Sequence, residues 1–335
     1  MPDPFLIFEM LQAHQRTAAL QAGIELGLFG ALGEGPADAA MLAAKCGASE
    51  RGTRVLADYL TIAGLLTKQD GVYSNSEVSG TFLDPKSPAC LASIAKFLGN
   101  KEMVETCKGL TQIVRQGRTN LPGQGTVEPE NPMWVEFAES MAPIMRATAP
   151  MVAGVALQGT TGPVKVLDIA AGHGLFGLGI AQQNPEAQIV AVDWAQVLDV
   201  AKKNAAAAGI SLQTIEGDAF TVDYGSGYDI VLLTNFLHHF DHATNVKLLR
   251  KVHAALKPGG RAVTLEFIPN DDRVTPPEAA TFSLTMLLST ASGDAYPFSE
   301  LSAMHKEAGF GEVTHHKLPF GAESVVVAIR TGSEF

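Results

Sequence analysis

Apolar residues recur at helical spacing from Phe5 to Leu32, and the run ends in glycines, which predicts a long helix or a broken helix pair. Two shorter helical patterns follow, Ala37 to Cys46 and Ser49 to Ala63, parted by Gly47. Ser49 stands where a hydroxyl can accept an orphan backbone N–H and start the second of them. Leu65–Lys68 and Val72–Ser74 then flank Asp70-Gly71, a dipeptide suited to a tight hairpin. Helix, helix, helix, hairpin is the outline of a winged helix. Residues 118–133 are rich in Gly, Pro, Asn and Glu and read as a connecting loop. Pro132 to Leu157 reads as a helix carrying a stripe of Met and Phe, which is ordinary core or the wall of an irregular apolar pocket.

From Val164 onward the pattern changes. Short apolar runs alternate with helical stretches: Lys165–Ala170, Leu175–Gln183, Gln188–Val192, Val197–Ala207, Leu212–Glu216, Asp229–Thr234, Thr244–Leu256 and Arg261–Phe267. That rhythm builds a parallel sheet covered by helices on both faces. Lys257-Pro258-Gly259-Gly260 predicts a hard stop before the strand that follows. Leu301–Ala308 reads as a helix, while Val313–Pro319 and Val325–Arg330, joined closely through Phe320-Gly321, read as an antiparallel finish. The expected organisation is a helical winged-helix domain over 1–117, a linker over 118–133 and an α/β domain over 134–335.

Length agrees, since 335 residues exceed the usual single domain of about 150. No apolar run reaches the ~18 residues that cross a bilayer, and the N-terminus lacks the pattern of a signal peptide, so a soluble cytoplasmic protein without a membrane partner is expected. Cys46, Cys90 and Cys107 have no paired spacing, which encodes neither a disulfide framework nor a thiolate metal site. The net charge of −11 opposes a nucleic-acid partner. Residues 1–100 carry seven Lys/Arg against ten Asp/Glu, so the winged helix lacks the basic footprint of a DNA reader. Its long apolar faces would instead be covered by a second subunit, giving a homodimer.

Candidate chemistry begins at Val166-Leu-Asp168-Ile-Ala-Ala-Gly172-His-Gly174-Leu-Phe-Gly177, where an apolar strand enters a glycine turn that opens a helix. Such a turn brings backbone close to a ligand without Cβ obstruction. Gly172, Gly174 and Gly177 fit the dinucleotide fingerprint, yet Asp168, four residues before the first of them, would repel a pyrophosphate. A carboxylate suits a cation, and S-adenosylmethionine offers a sulfonium and an α-ammonium. The next strand ends at Asp193-Trp194, where a carboxylate can accept both ribose hydroxyls. A further strand ends at Gly217-Asp218-Ala219-Phe220: Asp218 can take the adenine amine and Phe220 can cover a ring face, although Asp218 could equally cap the segment that follows. Three acidic strand ends in order are more specific than any one.

This array resembles class I S-adenosylmethionine-dependent methyltransferases. The whole length resembles the bacterial relatives of small-molecule O-methyltransferases with an N-terminal winged-helix dimerisation domain, on Leu-Gly-Leu-Phe at 26–29, the stretch Phe137–Met145, the motif at 166–174, Asp193, 217–220, Leu237-His238 and 257–260. The resemblance implies a Rossmann-like seven-stranded sheet, with Gly172 and Gly174 at the methionine portion, Asp193 at the ribose, Asp218, Ala219 and Phe220 at the adenine, and Asn235 beside the sulfonium; Trp194 counts among the cofactor-binding residues or is simple packing. It implies His238 as general base and Glu266, on the next strand, as the acid that orients it. The residue after the base is His239 where the family commonly has Asp, and Glu300 is the nearest candidate for a second supporting acid. The stretch from Asn270 to Pro297 would roof the acceptor pocket, with Phe137, Met141, Met145, Phe282 and Met286 lining it.

His238 and His242 also have the i, i+4 spacing of helical metal ligands, but no carboxylate or cysteine at ligand spacing completes a set, so no metal is expected. The function expected is methyl transfer to a small-molecule acceptor, an aromatic or natural-product hydroxyl, with C-, N- or S-methylation as the alternative on the same scaffold. An NAD-dependent oxidoreductase and a winged-helix regulator with a ligand-sensing domain are the alternatives of other classes.

Overall fold

The computed structural model describes residues 3–332, the side chain of Lys96 excepted. The chain divides into two compact units between Lys101 and Glu102. The first holds α1 (Phe5–Glu25), α2 (Leu28–Gly33), α3 (Ala39–Cys46), α4 (Glu50–Ile62), the hairpin β1 (Leu66–Gln69) and β2 (Val72–Asn75), α5 (Glu77–Phe82) and α6 (Ala92–Leu98). The expected broken pair at the start is parted at Gly27, whose φ of 66° ends α1 and opens α2. Asp38 and Ser49 cap α3 and α4 by accepting from Met41 N–H at 2.8 Å and Gly52 N–H at 3.2 Å. Leu28, Phe29, Leu42, Leu60 and Tyr73 form the core of this unit, each apolar side chain adding about 1.5–3 kcal/mol by leaving water. The N-terminal half of α1 has no such cover: Phe5, Leu6, Ile7, Phe8, Met10 and Leu11 are all exposed.

The division falls one residue into α7 (Lys101–Lys108), and the second unit continues with α8 (Leu110–Gln116) and α9 (Met133–Ala156). It continues through β3 (Lys165–Ile169), α10 (Leu175–Gln183), β4 (Gln188–Asp193), α11 (Ala195–Ala208), β5 (Leu212–Glu216), β6 (Tyr228–Thr234), a 3-10 turn at Leu237–His239, α12 (His242–Ala255) and β7 (Leu256–Phe267). The stretch 270–297 contains α13 (Pro277–Ala280) and α14 (Phe282–Ser289), and α15 (Phe298–Glu307), β8 (Val313–Lys317) and β9 (Glu323–Ile329) follow. The seven strands lie in the order β5-β4-β3-β6-β7-β9-β8. The first five in that row run parallel, β9 is antiparallel to β7, and β8 is antiparallel to β9. The order turns back between β3 and β6, so the crevice beyond their carboxyl ends is the natural place for a ligand.

One sheet face buries Leu167, Ile169, Val231 and Leu233 against Leu248, Leu249, Leu301 and Met304 of α12 and α15. The other buries Val166, Ile230, Leu232, Val263 and Val325 against Met145, Ala149, Val152, Phe176 and Ile180 of α9 and α10. Continuous Val/Ile/Leu runs are what strands covered on both faces require.

The stretch 118–133 is fastened to the body of the unit: Thr119 and Thr126 are buried, and their hydroxyls donate to the carbonyls of Leu288 at 2.6 Å and Ser289 at 3.2 Å. The contacts part the chain at 101/102. One expectation is redrawn. Lys257-Pro258-Gly259-Gly260 is drawn into β7 as a bulge between the Tyr228/Leu256 and Ile230/Arg261 pairs. A side chain at Gly260 would sit 2.9 Å from the carbonyl of Lys257 and 3.1 Å from those of Tyr228 and Asp229, so only glycine fits there.

Candidate active site

Past β3 the backbone enters the left-handed region at Ala170, Gly172 and Gly174, with φ of 53°, 55° and 73°. For Ala170 that costs about 1–3 kcal/mol, strain concentrated where the chain must wrap a ligand. The two glycines differ in purpose. A methyl group at Gly174 would approach Cβ of Ala201 to 2.9 Å, so this glycine lets α11 pack. One at Gly172 would meet nothing nearer than 4.0 Å, and the turn there faces open space.

Asp168 sits beneath the turn, 1% exposed, with Oδ2 accepting the N–H of Gly177 at 3.0 Å. Burial pushes its carboxyl up to about 7, against the Gly177 bond, and Asp193 pushes the same way. Its Oδ1 is buried without a partner. Asp168 therefore braces the glycine helix from behind. His173 turns inward: its Nδ1 accepts the N–H of Leu175 at 3.1 Å, Asn204 donates to its carbonyl at 2.9 Å, and burial holds it neutral, down at about 4.

Asp193 accepts the N–H of Gly172 at 2.8 Å and of Trp194 at 2.8 Å, which fastens the end of β4 to the glycine turn. Burial nevertheless raises it to about 6. Half-buried Trp194 precedes α11 as its N-cap residue. Asp218 accepts the N–H of Phe220 at 2.9 Å, so it caps its own turn while its other oxygen stands 3.4 Å from the hydroxyl of Thr221. The carbonyl of Ala219 receives the ammonium of Lys251 at 2.9 Å, and Phe220 meets the edge of Phe240 at 5.0 Å. Asn235, just past β6, has φ 54° and a buried Oδ1 without a partner.

The same end of the sheet carries a dyad. His238, in the 3-10 turn after β6, is buried, and its Nδ1 lies 2.5 Å from Oε2 of Glu266 on β7. Oε1 of Glu266 accepts the backbone N–H groups of Phe236, Leu237 and His238 at 3.1, 2.8 and 3.3 Å. The carboxylate thus holds both the ring and the turn that carries it. Burial drives both groups toward neutrality: the imidazole is lowered to about 3, and the carboxyl is raised to about 8 against the bonds it accepts. With Nδ1–H directed at Glu266, Nε2 keeps its lone pair.

His239 packs against His238 with ring centroids 4.2 Å apart, and its Nδ1 lies 3.2 Å from the carbonyl of Phe236. His242 is elsewhere, exposed at the start of α12 and 3.0 Å from Glu307, so it shares no face with His238. Among the described residues no group of three His, Cys, Asp or Glu could hold a metal. Glu300 is bonded to Arg273 at 2.6 Å, and Arg273 also holds Asp294 at 2.8 Å. Asp294 in turn donates its backbone N–H to the carbonyl of His238 at 2.9 Å.

The apolar candidates separate. Phe282 meets His238 edge-on at 4.9 Å and stacks on Phe267 at 4.0 Å, which brings α14 to the dyad. Phe137 packs with Trp134, 5.5 Å away, and Trp134 meets His239 at 5.3 Å. Met141 leans on the α9-side core and Met145 lies inside it, while Met286 is buried in α14. Trp134, Phe267 and Glu323 escape a reading by pattern. A tryptophan opening the Met-bearing helix and a glutamate opening an otherwise apolar strand were the available signals.

These residues fit S-adenosylmethionine. The open space at Gly172, the unpaired Oδ1 of Asn235 and the carboxylates at the ends of β4 and β5 offer a cation-tolerant cradle rather than a pyrophosphate site.

Comparisons with known proteins agree with this reading. The model of the O-methyltransferase domain matches residues 130–311, and that of the O-methyltransferase dimerisation domain matches residues 8–85. The 3-hydroxy-5-methyl-1-naphthoate 3-O-methyltransferase of Streptomyces sahachiroi is 30% identical over 98% of this chain and 95% of its own. A crystal structure of a candidate O-methyltransferase from Nostoc punctiforme is 46% identical, covers 98% of this chain and 100% of its own, and superposes with a TM-score of 0.95. Human N-acetylserotonin methyltransferase, solved with S-adenosylmethionine, shares the fold at 23% identity, covering 98% of this chain and 97% of its own, with a TM-score of 0.84.

Proposed function

We propose, from the premise that this chain belongs to the S-adenosylmethionine-dependent O-methyltransferase family, that it methylates a hydroxyl on a flat aromatic small molecule with His238 as the base. The observation that carries the role of His238 is its bond to Glu266 inside a buried, aromatic-lined site. The bound cofactor supplies an electrophilic methyl group on a sulfonium, whose departure as a neutral thioether needs no acid. What remains for the chain is to place the acceptor oxygen in line, take its proton and keep water out.

Gly172, Gly174, Asp193, Trp194, Asp218, Ala219, Phe220 and Asn235 would hold the cofactor, and Asp168 would keep their turn in shape. The Phe267–Phe282 stack and Trp134 offer flat apolar faces to a planar ring, consistent with the hydroxynaphthoate named for the Streptomyces relative. Nε2 of His238 takes the hydroxyl proton, and the imidazolium that forms lies against the Glu266 carboxylate. Two copies would pair through the first unit, where the dimerisation-domain match lies.

The test is transfer of labelled methyl from S-adenosylmethionine to a panel of hydroxylated naphthoates and naphthols, with wild type and His238→Ala compared on whichever is methylated. The variant is expected to lose about 10²–10⁴-fold in turnover and to bind S-adenosylhomocysteine normally. Near-normal turnover would remove His238 from proton abstraction.

A further inference from the structure

One half-buried carboxyl at this end of the sheet has no part in the dyad. Glu323 opens β9 and pairs across the strands with Phe267, so the two side chains share a face, and the ring of Phe267 carries the stack on Phe282. Oε1 of Glu323 is buried and has no hydrogen-bond partner. The polar side chain of Asn235 stands beside the carboxyl, and its own Oδ1 is also buried and unpartnered. Burial lifts Glu323 to about 7, opposed by Asn235 and reinforced by Glu266 on β7. Two neighbouring buried oxygens without donors, one of them on a carboxyl, make an arrangement that a protein keeps at a cost unless a ligand completes it.

We infer that Glu323, through and beside Asn235, senses the charge of the bound cofactor and so distinguishes the sulfonium of S-adenosylmethionine from the neutral thioether of S-adenosylhomocysteine. The inference rests on the proposed seating of the cofactor along the ends of β3, β4, β5 and β6, a row in which Asn235 is the last residue. The carboxyl of Glu323 is next to the side chain of that residue, opposite Phe267 on the neighbouring strand. During transfer the S–CH₃ bond breaks with its electron pair going to sulfur, the O–CH₃ bond forms, and the hydroxyl proton passes to His238. Both cofactor forms carry the same ammonium and carboxylate, so the sulfonium is the charge that differs between them. A carboxylate near that charge in a water-poor site would favour the charged form by about tenfold or more. Such a residue would admit the methyl donor and loosen the spent cofactor.

Calorimetry of the full chain with S-adenosylmethionine and S-adenosylhomocysteine, at pH 8 and pH 6, tests this on wild type and Glu323→Gln. At pH 8 the variant is expected to bind S-adenosylmethionine about tenfold more weakly and S-adenosylhomocysteine within about twofold of wild type. At pH 6 the wild-type preference should fall toward that of the variant as the carboxyl takes up its proton, while the variant's ratio barely moves. Glu266 titrates in both proteins, so the difference between the two curves belongs to Glu323. Equal weakening of both ligands, or no change in either, overturns the inference and leaves the cofactor site standing. Failure of wild type to bind either ligand overturns both. Should the variant not fold, a wild-type ratio that stays level between pH 8 and pH 6 is sufficient to reject the role.

Discussion

Glu266 performs two tasks with two oxygens, one accepting three backbone N–H groups and the other the imidazole. In Glu266→Gln the amide must give its oxygen to the backbone donors and turn its NH₂ toward Nδ1, which leaves the ring with its proton on Nε2. That tautomer cannot take a proton from a hydroxyl. Single-turnover methyl transfer is expected to slow by about 10²-fold or more with cofactor affinity intact, whereas a loss below tenfold would mean the carboxylate does not set the tautomer. The dyad accepts the substrate proton only in its anionic form, and burial makes that form hard to reach by pushing Glu266 up to about 8. The transfer rate should therefore rise with pH toward 8 rather than level off in the usual carboxylate range. The two glycines of the turn supply a second contrast. Gly172→Ala should lower S-adenosylhomocysteine affinity at least tenfold while moving the melting temperature little beyond the φ penalty of about 1–2 kcal/mol. Gly174→Ala, with a Cβ 2.9 Å from Ala201, should mainly destabilise the fold. Reversed outcomes would mean that the cofactor does not lie over Gly172.

Whole elements were legible where their periodicity is local. The strand–helix alternation from Lys165 to Phe267 and the antiparallel finish follow from apolar runs and glycine punctuation that the chain carries within a few residues. The bend at Asp168-to-Gly177 and the dyad were legible too, because their residue types are tied to short motifs. The stretch 102–133 was not. Its order comes from hydrogen bonds to 288–290, over 160 residues away in the chain, and no window reading of Gly, Pro and Asn reports a distant carbonyl. Thr119 is the clearest member of that fastening, its hydroxyl donating to Leu288 and accepting from the N–H of Leu121 at 3.1 Å. Thr119→Val leaves both unpaired in a buried place and should cost about 1–3 kcal/mol in urea unfolding. A cost near zero would mean that solvent reaches the seam. Glu323 was missed for a related reason, since its neighbours belong to β6 and β7 rather than to its own strand.

At the scale of the molecule, buried titratable groups govern how stability depends on pH. Asp168, Asp193, Glu266 and Glu323 are raised to about 7, 6, 8 and 7, so the stability they bring is complete below the unfolded carboxylate range and drains as pH climbs through 6 to 8. His173, His238, His239 and His305 are lowered to about 4, 3, 3 and 4, and theirs is complete above about 6.5 and lost as pH falls through that range. The two sets oppose each other between about pH 4 and 6.5, so the ligand-free protein should melt highest there; a melting temperature that climbs from pH 6 to pH 8 would contradict the assignment. The exposed face of α1 concerns the assembly. Phe8 and Leu11, 55% and 66% exposed and one helical turn apart, should be covered in a pair of chains, and Phe8→Glu with Leu11→Glu should halve the mass seen by light scattering. Finally, the stretch 270–297, the proposed roof, and the turn that carries His238, the proposed base, are mechanically one piece. Asp294 holds the carbonyl of His238, Arg273 ties Asp294 to Glu300, and Gly293 lies so close beneath that a side chain there would strike the same carbonyl. Acceptor choice and proton abstraction are then heritable only as a set: a roof transplanted from a relative would carry its own placement of the imidazole with it, and new specificities in this scaffold should arise by side-chain replacement within a conserved backbone rather than by exchange of the segment.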